Sequence, residues 1–171
     1  IETLSTMNAP VIAAVQGVAA GAGLSLLSSC SLVIASAAAS FTMAYTGIGL
    51  TPDGGATYFL PRQIGLRKTE ELMITNRRLS AAEAIDWGLV NEVVAPEALA
   101  ARVDALANQL ATGATAAYGA ARRMLLASFS NDMTAQLALE QETMVAAGGS
   151  RDGQAGVAAF KAKTKPAFVG E

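Results

Sequence analysis

The chain has 171 residues, 52% of them hydrophobic and 15% charged, and a net charge of −2. That length supports one substantial core; the composition excludes a disordered chain, and a slight negative charge with no long basic run excludes a nucleic-acid footprint. With no histidine and one cysteine, the chain holds no Ser-His-Asp or Cys-His machinery, no histidine metal site and no intrachain disulfide.

No side chain between Glu2 and Asp53 is charged. The tract is long enough to span a membrane, but Gln16, serines 25, 28, 29 and 31 and five glycines between 17 and 49 interrupt it. We therefore expect short buried segments and no membrane span. Residues 10–15 read as a strand buried on both faces. Residues 21–30 follow as a helix with Leu24, Leu27 and Cys30 facing inward. Residues 32–35 and 41–43 are short strand candidates, which makes the order strand, helix, strand, as in a layered α/β core.

Beyond Asp53 a helix is expected over residues 54–62, ended near Pro61 and Gly65, with another over residues 66–75. Ser80-Ala81-Ala82-Glu83 fits a capping box opening a third helix that stops at Gly88. Residues 89–94 read as a last strand, and Trp87 as a core residue. Leu99, Val103, Leu106 and Leu110 form one apolar helical stripe, and further helices are expected over residues 116–129, 134–147 and 152–163. This divides the chain into an α/β core over residues 1–95 and a helical region over residues 96–171 whose apolar faces suit oligomer contacts, the alternative being a lid packed on its own subunit.

Two features carry possible chemistry. Residues 17–23 are small, so a ligand can approach their backbone amides closely; the bland alternative is a strand and helix packed tightly together. Asp53, in Thr51-Pro52-Asp53-Gly54-Gly55, is either a buried catalytic base or the N-cap of the helix opening near Gly54. A backbone amide and a carboxylate suffice to make and quench an enolate.

The segments at residues 10–17, Gly21-Ala22-Gly23 and residues 49–55 resemble the enoyl-CoA hydratase/isomerase (crotonase) superfamily. So do Leu60-Pro61-Arg62, residues 79–84, Gly88-Leu89-Val90, and the closing stretch from Ala159-Phe160 to Phe168-Val169-Gly170, all in the family's order and spacing. The resemblance implies an α/β fold, a spiral of ββα units with a C-terminal helical trimerisation region, assembled as a homotrimer or hexamer. It implies an acyl-CoA substrate, no separate cofactor because coenzyme A is part of the substrate, and no metal. It also implies that the chain is the C-terminal part of a family member, with the first oxyanion-hole amide supplied by an N-terminal portion.

By the same resemblance, Ala22 matches the oxyanion-hole amide of the glycine motif, with Gly21, Gly23, Ser25, Tyr45 and Pro52 around the substrate. The family's hydratases use two glutamates, and the matching positions here are Ser25 and Tyr45. Neither side chain ionises readily near neutral pH, which weighs against hydration. Asp53 matches the catalytic aspartate of some isomerases, and residues 41–62 are especially similar to the ring-epoxide isomerases of phenylacetate degradation. The expected function is therefore a double-bond shift on an acyl-CoA thioester with Asp53 as base, in fatty-acid or aromatic-acid breakdown. The alternatives are an enoyl-CoA hydratase, a dehalogenase with Asp53 as nucleophile, and a non-catalytic acyl-CoA-binding subunit. Lys161, Lys163 and Lys165 are candidate contacts for CoA phosphates or simply a solvated basic tail. The single cysteine suits the reducing cytoplasm.

Overall fold

The computed structural model describes residues 1–171, which form two compact units. One comprises Ile1–Leu4 and Val11–Asp104, the other Ser5–Pro10 and Ala105–Glu171. A short helix, α1 (Glu2–Thr6), opens the chain.

The first unit repeats one pattern. Strands β1 (Ile12–Val15) and β2 (Val18–Ala20) precede helix α2 (Ala22–Ser28); strands β3 (Leu32–Ser36) and β4 (Ser40–Thr42) precede helix α3 (Ala56–Ile64). Equivalent strands of the two repeats pair in parallel, Ile12 opposite Leu32 and Val18 opposite Ser40. Each repeat is thus laid on the one before it, which is the expected spiral of ββα units. Helix α4 (Leu66–Thr75), strand β5 (Leu79–Ser80), helix α5 (Ala81–Asp86), strand β6 (Glu92–Val94) and the start of α6 (Leu99–Ala111) complete the unit. The sheets run β1-β3-β6, all parallel, and β2-β4-β5, with β5 antiparallel to β4.

The core lies between these sheets and α2, α3 and α4. Leu24, Phe41, Met43, Leu60, Leu72 and Leu79 are fully buried in it. Ser25 and Ser28 are buried beside Leu24 and Leu27, their hydroxyls satisfied by Gly21 O and Ser25 O in the preceding turn. Trp87 is half-buried against this core, its ring faced by the cations of Lys68 and Arg77.

Several local expectations need correction. In β1 only Val15 is buried, because β1 is an edge strand with one side open. Cys30 is half-buried rather than core. Strand β2 lies inside the small-residue stretch over residues 17–23, where no strand is expected; its residues are Val, Ala and Ala, so no alternation of apolar and polar side chains announces it. Helix α3 starts later than residue 54 and continues through Pro61 to Ile64, with Gly65 as its C-cap. The last strand is only Glu92–Val94, because Leu89 and Val90 are spent in the turn that follows Gly88.

The second unit is helical: the rest of α6, then α7 (Thr115–Ala127), α8 (Met133–Gly149) and α9 (Arg151–Ala162). Residues 5–10 are strapped to α7. Arg122 Nη1 donates to Met7 O and Ala9 O at 2.7 and 2.5 Å, and Arg123 donates to Asn8 Oδ1. Gly119 is required at the crossing, since a β-carbon there would lie 2.3 Å from Asn8 O. The C-terminal tail is held by Asp152, a buried residue in the first turn of α9. Its carboxylate accepts the N–H groups of Val169 and Gly170 at 2.7 and 2.9 Å, and its own N–H donates to Glu171 O at 2.7 Å. Lys161, Lys163 and Lys165 are exposed. No helix of the chain is long and apolar enough to cross a membrane.

Candidate active site

The glycine motif folds as the turn from β2 into α2. Gly21 takes φ +52 and ψ −119, a backbone open to glycine, and its N–H donates to Thr42 O at 3.1 Å. Ala22 and Gly23, both exposed, are the first residues of α2. The first N–H groups of a helix have no acceptor within it, so the Ala22 amide points out of the helix toward whatever occupies its end.

Tyr45 lies beside this turn. The phenol ring lies against the side of Gly21 where a β-carbon would stand, 3.6 Å from Tyr45 Cζ, an ordinary contact distance, so the left-handed φ and not the ring is what favours glycine there. The chain reaches Tyr45 through Ala44, whose φ of +59 is unusual for a residue with a side chain. Tyr45 N donates to Met43 O at 2.7 Å across that kink. Behind Tyr45, Thr46 Oγ1 donates to Met73 O and accepts from Asn76 Nδ2, both at 2.5 Å.

Asp53 is exposed, not buried as expected, because it sits in the loop between Thr46–Ile48 and α3 with Leu50 and Thr51 also at the surface. The capping reading does not hold for its side chain. The N-cap of α3 is Gly55 at φ +82, and the Asp53 carbonyl, not its carboxylate, receives Ala56 N–H at 3.2 Å. The carboxylate is instead bonded to Tyr45, whose hydroxyl donates to Asp53 Oδ1 at 2.5 Å. Ser25, from α2, is fully buried beneath the same loop, where a β-carbon at Gly54 would lie 2.9 Å from Ser25 Cβ. Pro52 is half-buried in that loop.

The fold therefore brings Gly21, Ser25, Tyr45, Asp53 and Gly54 together from two ββα repeats, with Ala22 and Gly23 continuing the same turn. Burial raises the Tyr45 phenol above its usual 10.0, and the Asp53 carboxylate adds to that; the Ser25 hydroxyl and the Asp53 backbone pull the other way. Tyr45 is accordingly a protonated donor at neutral pH. Sequence reasoning missed this bond and the close packing of Gly54 on Ser25. The eight-residue spacing of Tyr45 and Asp53 on a loop has no periodicity to reveal it.

The Enoyl-CoA hydratase/isomerase family description matches residues 1–171. The chain belongs to the enoyl-CoA hydratase/isomerase family. It is 40% identical over 171 residues to the 1,2-epoxyphenylacetyl-CoA isomerase of Escherichia coli K12, covering all of this chain and 65% of that protein. It is 39% identical over 170 residues to the "Probable enoyl-CoA hydratase" of Rhodobacter capsulatus, covering 99% of this chain and 66% of that one. Among solved structures, the enoyl-CoA hydratase/isomerase of Cupriavidus metallidurans CH34 superposes with a TM-score of 0.93 at 39% identity, over 99% of this chain and 64% of that one. The chain thus spans about two thirds of the length of these relatives, and the crotonase fold read from the sequence is the fold observed.

Proposed function

We propose that the protein is an isomerase of acyl-CoA thioesters that shifts a double bond through an enolate. Asp53 is the base, and the Ala22 amide is one donor to the enolate oxygen. The observation that carries this reading is that Asp53 is the one carboxylate beside the glycine turn, bonded to Tyr45; by the family resemblance, Ser25 and Tyr45 stand at the two positions where the hydratases carry their glutamates.

Asp53 takes a proton from the carbon of the substrate between the thioester and the double bond. The C–H bond breaks, an O–H bond forms on Asp53, and the electron pair moves onto the thioester oxygen. An amide at a helix start stabilises that oxygen without reorganising, an effect worth about 3–4 kcal/mol of barrier for one donor. Asp53, whose exposed carboxyl exchanges its proton with water between the two steps, then delivers a proton to the carbon two atoms along, and the pair moves back from oxygen. The exposure of Asp53 and of the Ala22 end of α2 leaves both open to a substrate.

The relatives carry both isomerase and hydratase names, so the test must separate the reactions. The protein is offered a β,γ-enoyl-CoA and, separately, an α,β-enoyl-CoA. An isomerase converts the first into the conjugated thioester without taking up water; loss of the conjugated thioester to a hydroxyacyl-CoA means hydratase. CoA binding with neither reaction means a binding subunit.

We also propose assembly as a homotrimer or hexamer in the cytoplasm. Met144, Val145, Val157 and Phe160 on α8 and α9 are 54–85% exposed, large apolar side chains of the kind a neighbouring subunit covers. The single cysteine forms no disulfide.

A further inference from the structure

We propose that Tyr45 is a positioning residue for Asp53, holding one carboxylate oxygen so that the other is presented to the substrate. The inference rests on the reading of Asp53 as the base.

An exposed aspartate on a loop turns freely about its side-chain bonds, and that freedom costs rate when one oxygen must meet one C–H bond. Here Oδ1 is tied to the Tyr45 hydroxyl at 2.5 Å, which leaves Oδ2 outside that bond, on an exposed residue. The tie is useful only if Tyr45 is itself fixed, and it is held at both ends. Its ring packs on the Gly21 backbone. Its own backbone is locked by Tyr45 N to Met43 O at 2.7 Å, and by Ile48 N and Leu50 N donating to Tyr45 O at 3.1 and 3.0 Å. Ser25, fully buried, packs under Gly54 of the same loop. The strained φ of Ala44 lies immediately before it, at the kind of place where backbone strain serves a site.

The arrangement divides labour between two oxygens. Asp53 Oδ2 gains the substrate proton and delivers one to the far carbon, while Tyr45 keeps its own proton and donates throughout. The same tyrosine links the base to the turn that carries the Ala22 amide, so base and oxyanion donor are registered through one side chain.

The test uses Tyr45→Phe and Asp53→Asn in the intact protein, singly and together. Tyr45→Phe should lower kcat about 10- to 100-fold with KM unchanged, the signature of lost alignment. The double variant should be no slower than Asp53→Asn alone, because the two residues act as one unit. A second measurement needs no turnover: the protein has three tyrosines, and one of their ultraviolet titration steps should move to lower pH in Asp53→Asn as the carboxylate charge beside Tyr45 is lost. Wild-type kcat in Tyr45→Phe alongside an inactive Asp53→Asn overturns the positioning role and leaves the base assignment standing. An active Asp53→Asn overturns the base assignment itself. A tyrosine titration identical in wild type and Asp53→Asn shows that the bond is not made and overturns the inference even if Tyr45→Phe fails to fold.

Discussion

Gly54 rests directly on Ser25: a β-carbon at Gly54 would lie 2.9 Å from Ser25 Cβ, and Gly54 holds φ +60. The contact joins the loop that carries Asp53 to the helix that begins at Ala22. Gly54→Ala meets both a side chain that is fully buried and a left-handed backbone. It should cost about 2 kcal/mol of stability, seen as a lowered denaturant midpoint. Turnover should fall further than stability, because the loop is pushed away from α2.

The capping box at α5 gives a pH test with a definite sign. Glu83 is held at about 2, well below its usual 4.5, first by the Ser80 backbone N–H at 2.9 Å, then by the Arg77 guanidinium at 2.8 Å and the Ser80 hydroxyl at 2.9 Å. A carboxyl depressed in the folded state stabilises the protein above its unfolded value and loses that contribution as pH falls through its folded value. Wild type should therefore melt above Glu83→Gln at pH 7, with the difference closing between pH 4.5 and about 2. A difference that persists at pH 2 contradicts this assignment. Ser80→Ala should cost about 1 kcal/mol through the lost cap.

At the other end of the chain, Asp152→Ala removes the acceptor of both Val169 and Gly170 N–H. The loss should be about 1–3 kcal/mol for the helical unit. Hydrogen exchange gives the sharper measurement, with the Val169 and Gly170 amides exchanging much faster in the variant and the amides of β3 unchanged.

Much of this was legible in the sequence, for identifiable reasons. The capping box at Ser80–Glu83 and the Leu99-to-Leu110 stripe are local signals, and both appear where they were read. The α2 helix was legible from Leu24 and Leu27, and its glycine start from the small residues around Gly21. The strands were less so: β2 and β5 are three and two residues long, too short for any alternation to register. The site was half legible. Asp53 stood out as the first charge after a long uncharged tract, but its surroundings depend on Tyr45 and Ser25, which reach it only through the spiral. Its exposure could not be read from apolar neighbours in sequence, because Leu50 and Ile48, which look like cover, are themselves exposed.

The central claim is that Asp53 moves a substrate proton, and isotope exchange measures that step directly. The intact protein and its Asp53→Asn variant are incubated with a β,γ-enoyl-CoA in deuterium oxide, and deuterium entering the acyl chain is followed by mass spectrometry. The account predicts exchange and isomerisation by the wild type, and a fall of about 100-fold or more in both for Asp53→Asn, with the thioester still bound. Exchange in the variant at the wild-type rate would contradict it.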